Sequence, residues 1–141
     1  MRLRRHSYQS YSTKRKMETL SGGKPTILVA EDTESNYLLV SYLLRNDYNL
    51  LWAHDGIEAL DMYRTKRIDL ILMDIRMPRL GGLATAEQIR KTDKKIPIIA
   101  LTAFAFDSDR AQTFEAGCTD FVPKPINADL LKAKIKKHLT E

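Results

Sequence analysis

The chain has 141 residues, 43% apolar and 29% charged, with a formal net charge of +5 and a single cysteine, Cys118. That length suits one domain with one core, a lone cysteine excludes an internal disulfide, and no apolar run approaches the ~18 residues that a membrane-crossing helix needs. The charge is local: residues 1–23 hold six basic side chains against Glu18, whereas residues 24–141, with the other 17 basic and 17 acidic residues, are neutral.

The opening Met1-Arg2-Leu3-Arg4-Arg5 is basic but is followed by no apolar core, so an export signal is not expected and a cytoplasmic location is. Residues 1–23, closing on Ser21-Gly22-Gly23, read as a basic flexible leader or linker. They offer no aromatic-interleaved groove and no amphipathic repeat, so contact with nucleic acid or a membrane surface is not expected.

From Thr26 onward, strand and helix patterns alternate. Ile27-Leu28-Val29-Ala30 is an apolar run closed by Glu31-Asp32, and Thr33 stands where it can cap a helix running to Leu44, with Tyr37, Leu38, Val40, Ser41 and Leu44 forming a mixed face. Leu50-Leu51-Trp52-Ala53 predicts a short strand, and Asp55-Gly56-Ile57-Glu58 has the form of a capping box opening a helix to about Lys66. Leu70 to Asp74 is the third strand, and Pro78, Gly81 and Gly82 shape a loop before a helix from about Leu83 to Thr92. Ile96 to Leu101 is the fourth strand, with Pro97 near its start. Asp107 can cap a helix to Ala116, which Gly117 stops; Asp120-Phe121-Val122 is a last short strand, and Asn127 caps a terminal helix carrying Leu130, Leu131, Ile135 and Leu139. Uninterrupted apolar strands separated by helices predict an open parallel α/β sheet covered on both faces.

In such sheets ligands gather outside the carboxyl ends of the strands, and that is where Glu31, Asp32 and Asp74 fall. Ordinary exposed acids at strand ends are the plain alternative. Acids closing two separate strands would instead repel one another, and a hard, oxygen-seeking cation relieves that repulsion; Mg²⁺ is the natural candidate. Thr102 and Lys124 close two further strands and add a hydroxyl and an ammonium to the same edge. The set suits phosphoryl transfer, with Asp74 as the nucleophile, since a moving phosphoryl group needs its peripheral oxygens neutralised.

The segments Ile27-Leu28-Val29-Ala30-Glu31-Asp32, Leu72-Met73-Asp74-Ile75-Arg76-Met77-Pro78, Ala100-Leu101-Thr102-Ala103 and Lys124-Pro125 together resemble, in order and spacing, the receiver domains of two-component response regulators, most of all those attached to hybrid sensor histidine kinases. The likeness covers about residues 25–140 and makes 24–141 the domain. It implies a flavodoxin-like five-stranded sheet in the order 2-1-3-4-5, the order for which a member of this family is a standard example. It also implies that Asp74 accepts phosphate from a histidine kinase or histidine phosphotransfer domain, that Asp32, Asp74 and the Arg76 backbone carbonyl hold Mg²⁺ with Glu31 ordering its water shell, and that Thr102 and Lys124 grip the phosphoryl oxygens. Thr102 and Phe121 match the switch pair of the family, and Lys124-Pro125 matches its cis bond. A phosphorylation-dependent dimer is compatible with the resemblance. Arg76 and Phe104 match the two positions flanking the path of the hydrolytic water, where a cation and an aromatic ring are expected to slow dephosphorylation. Such a domain is not an enzyme in its own right, though it assists its own phosphorylation and dephosphorylation.

The rival readings each lack a residue. A Mg²⁺-dependent aspartyl-phosphate phosphatase of the haloacid dehalogenase type, the main alternative, requires a second aspartate two positions after Asp74, where Arg76 stands. A flavin or nucleotide module needs a phosphate cradle in its first loop, but Glu31-Asp32-Thr33-Glu34 is acidic and no glycine-rich phosphate motif is present. No helix-turn-helix follows the helix ending near His138, and His6, His54 and His138 lie near none of the expected site segments.

Overall fold

The computed structural model describes residues 23–103 and 107–140, with the side chains of residues 107 and 108 outside the description. Five strands, β1 (Thr26–Ala30), β2 (Asn49–Ala53), β3 (Leu70–Asp74), β4 (Ile98–Thr102) and β5 (Asp120–Pro123), alternate with five helices, α1 (Glu34–Leu44), α2 (Gly56–Thr65), α3 (Gly82–Arg90), α4 (Asp107–Glu115) and α5 (Ala128–Leu139). All strand pairs are parallel, in the order β2-β1-β3-β4-β5. This is the flavodoxin-like order expected from the sequence.

The strands are apolar throughout because both faces are covered. Leu28, Ala30, Ile71, Met73, Ile98 and Ala100 pack toward Ala59, Leu60 and Tyr63 of α2 and Ala86 and Ile89 of α3. On the other face Ile27, Val29, Leu70, Leu72, Ile99 and Leu101 meet Val40 and Leu44 of α1 and Leu131 and Ile135 of α5. Every residue of β3 and β4 is buried, as central strands of a parallel sheet require.

Local signals set most boundaries. The Asp55 carboxylate accepts the Glu58 N–H at the start of α2, but the reciprocal arm of the box reaches one residue further, since Glu58 Oε1 accepts the His54 N–H at 2.8 Å. Asn127 caps α5 through the Leu130 N–H, and Gly117, with φ of 108°, ends the turn after α4.

Five expectations are corrected. Thr33 occupies the cap position of α1 without a side-chain cap bond; its N–H donates instead to Glu31 Oε2. The fourth strand begins at Ile98 rather than Ile96, because Pro97 has no N–H and enters the ladder only through its carbonyl, which accepts from Ile71. Helix α3 starts one residue early and ends at Arg90. On α1 and α5, Leu38 and Leu130 face outward while His138 takes a buried position. Asp107, expected to cap α4, is its first residue, and Phe104 lies outside the described residues.

Two glycines let the carboxyl-end loops close tightly. A Cβ on Gly82 would collide with the Asp74 carbonyl oxygen and approach the Ile75 Cα at 2.8 Å. A Cβ on Gly56 would collide with the Leu80 carbonyl and the Thr85 hydroxyl. Arg79, at φ of 66°, ties the same loop to α2 by donating from Nε to Asp55 Oδ2 at 2.7 Å.

Candidate functional site

The end of β1 is held at two points by β2. The Glu31 N–H continues the ladder to the Ala53 carbonyl at 2.9 Å, and the Glu31 carbonyl accepts the Trp52 indole N–H at 2.7 Å. So anchored, Glu31 is buried beside the equally buried Asp74 at the end of β3, with Asp32 exposed at the rim. One carboxylate oxygen from each of the three lies within 4.8 Å of the others.

Among the described residues a single ammonium serves the two buried acids. Lys124 Nζ is 3.3 Å from Asp74 Oδ1 and 3.6 Å from Glu31 Oε1. Asp74 Oδ1 also accepts the Arg76 N–H at 3.2 Å, and Glu31 Oε2 accepts the Thr33 N–H and the Asn36 amide. Glu31 Oε1 is buried without a hydrogen-bond partner among the described residues. Burial, followed by the Asp74 charge, pushes the Glu31 carboxyl above its ordinary value, against the opposing pull of Lys124, Thr33 and Asn36. An excess of buried negative charge over its counter-charge, with one oxygen unpaired, is a donor set that fits a hard divalent cation.

The register explains how distant residues meet. Asp74 lies opposite Leu101, one residue before Thr102, and Thr102 lies opposite Pro123, one residue before Lys124. Thr102 is buried, and its carbonyl accepts the Lys124 N–H at 2.7 Å, which sets the backbone of the lysine at the strand edge. The Lys124-Pro125 bond is cis, as the sequence resemblance implies.

The expected residues therefore divide. Glu31, Asp32, Asp74 and Lys124 converge; Thr102 shares their edge; Arg76 joins through its backbone while its side chain is exposed. Phe121 stands apart, half-buried, with Arg110 5.1 Å and Lys134 4.7 Å from its ring centroid and Phe114 edge-on at 6.2 Å. Asn36 and Trp52 touch Glu31 and carry no motif in the sequence; the one available signal for Trp52 is its place one residue before the end of a strand that pairs with β1.

The family model of the response regulator receiver domain matches residues 27–136. The chain is 38% identical over 110 residues to the response regulator MprA of Mycobacterium avium, covering 78% of this chain and 48% of that protein, so it spans about half the length of this curated relative. Among solved structures, the receiver domain of the Pseudomonas aeruginosa sensor histidine kinase PA1611, with a magnesium ion in its active site cleft, matches at TM-score 0.78 and 33% identity, covering 84% of this chain and 100% of that one. A chain in the co-crystal of the Saccharomyces cerevisiae phosphotransfer protein Ypd1 with the receiver domain of Ssk1 matches at TM-score 0.76 and 29% identity, covering 82% and 88%.

Proposed function

The chain belongs to the response regulator receiver domain family, and from that premise we propose that it is a cytoplasmic phosphoacceptor whose Asp74 takes a phosphoryl group from a phosphohistidine on a kinase or a phosphotransfer domain. The observation that carries this reading is the pair of buried carboxylates, Glu31 and Asp74, beside the exposed Asp32, with one lysine between the buried two. The sensor-kinase and phosphotransfer contexts of two structural relatives support the choice of donor.

Asp32, Asp74 and the Arg76 carbonyl would hold Mg²⁺, with Glu31 ordering its water shell. Bound there, the ion supplies positive charge to the phosphoryl oxygens. An Asp74 carboxylate oxygen forms the new bond to phosphorus while the P–N bond breaks and its electron pair stays on the donor imidazole. Lys124, already 3.3 Å from Asp74, neutralises charge gathering on the transferred group, and the Thr102 hydroxyl donates to one of its oxygens. The domain thereby assists its own phosphorylation and, with water as the acceptor, its dephosphorylation. Phe121 serves as the ring that responds to the phosphorylated state. Residues 1–23 serve as a basic leader or linker.

Acetyl phosphate with Mg²⁺ tests the assignment, because an activated phosphoryl group needs no bound kinase to reach a metal-neutralised carboxylate. Intact-mass spectrometry should show one added phosphoryl group on the wild type and none on Asp74→Asn. Undiminished labelling of the variant would overturn it.

A further inference from the structure

Trp52, the only tryptophan of the chain, belongs to β2 at the edge of the sheet and carries no part of the resemblance. Its ring lies flat against Tyr37 of α1, with centroids 4.3 Å apart and planes 1° from parallel. His54 covers its other side at 4.0 Å and 28°, and the His54 Nδ1 is 2.9 Å from Glu58 Oε1. Two rings on opposite faces leave the indole little freedom to rotate. The N–H so aimed meets the Glu31 carbonyl at 2.7 Å.

That carbonyl belongs to the peptide linking Glu31 to Asp32. With the Glu31 N–H already fixed on Ala53, the indole bond fixes the next peptide plane, and so the direction in which Asp32 leaves the strand. Packing alone would require the stack but not the N–H; the smaller ring of a phenylalanine would still stack between Tyr37 and His54.

Resting on the reading of Asp32 and Asp74 as the metal-binding edge, we propose that Trp52 is a positioning residue for the acid pair: its indole N–H, locked by the Tyr37–Trp52–His54 stack, orients the Glu31–Asp32 peptide for Mg²⁺.

Titration with MgCl₂ followed by amide shifts of the full chain provides the test. Trp52→Phe keeps an aromatic ring in the stack and removes the donor, and should weaken Mg²⁺ binding roughly three- to tenfold, the size of one hydrogen bond. Leu50→Ala, two residues earlier on the same strand, should lower the melting temperature and leave the affinity unchanged. In the wild type, the Trp52 indole N–H resonance should move with the same midpoint as the Asp32 amide, a readout that requires no variant. Equal affinity in wild type and Trp52→Phe, equal weakening by Leu50→Ala, or an indole resonance indifferent to Mg²⁺ would each overturn the positioning role while leaving the metal site in place. A wild type that binds no Mg²⁺ would overturn both.

Discussion

Two clusters of ionisable groups lie at opposite ends of the sheet and have opposite balances. At the carboxyl ends, the buried Glu31 and Asp74 share Lys124, and Glu31 Oε1 has no hydrogen bond among the described residues. At the foot of β5, Asp120 alone faces two basic side chains: its Oδ1 accepts from Lys134 and from the Phe121 N–H, each at 2.8 Å, and its Oδ2 pairs with His138 Nε2 at 2.9 Å. Burial raises both carboxyls, yet Asp120 ends below its ordinary value because the bonds from Lys134, His138 and Phe121 outweigh it, whereas Glu31 ends above. An acid saturated with donors holds structure together. An acid left short of them is held ready for a partner.

The largest effect that could break this contrast is on stability. Asp120→Ala should lose about 2 kcal/mol in urea unfolding at neutral pH, since Lys134 and His138 lose the carboxylate they share, although Lys134 keeps its bond to the Phe121 carbonyl, while Mg²⁺ affinity stays at the wild-type value. The pH dependence has a definite sign. A carboxyl lowered in the folded state contributes stability above its unfolded value, and that contribution drains away as the pH falls through roughly 4 and below. Wild type and variant should therefore converge in acid, and parallel curves would remove Asp120 from the account.

At the other end the same logic runs in reverse. Asp32→Ala should weaken Mg²⁺ about tenfold, or ~1.4 kcal/mol, with stability changed by less than about 0.5 kcal/mol, because Asp32 is exposed and anchors nothing. Amide-shift titration beside urea unfolding measures both quantities, and a loss of stability without loss of affinity would reverse the assignment of the two ends.

The smallest effect sharpens the contrast most. A carboxyl raised by folding takes up protons that the unfolded chain lacks, so between its ordinary and raised values stability falls as the pH rises. Glu31→Gln removes that cost and should stabilise the metal-free protein at neutral pH by roughly 1 kcal/mol, with the gain vanishing once Mg²⁺ is added to both proteins. Thermal melts with and without MgCl₂ read this directly.

Much of this was legible in the sequence because parallel strands write themselves as unbroken apolar runs and the candidate site residues stand at or just past their carboxyl ends. Asp55, Asn127 and Gly117 behave as their residue types predict. What escaped were contacts between elements. Trp52 reads as one more strand residue until Tyr37 of α1 and the end of β1 are brought against it. Thr33 looks like an ordinary cap, but its hydroxyl makes no cap bond, and its N–H goes to the Glu31 carboxylate. Leu130, expected on the packed face, is exposed, and His138, for which the pattern gives no side, is buried where Asp120 gives its imidazole a partner.

The close approach at Gly82 has a consequence for how this sequence can drift. Position 82 carries no charge, nucleophile or ligand, yet every other amino acid would place a carbon against the main chain that presents Asp74. Gly56 stands in the same relation to Leu80 and Thr85. A saturation scan selecting only for a working domain should return both as invariant beside the acids themselves, so that two residues with no side chain would be mistaken for participants in the chemistry.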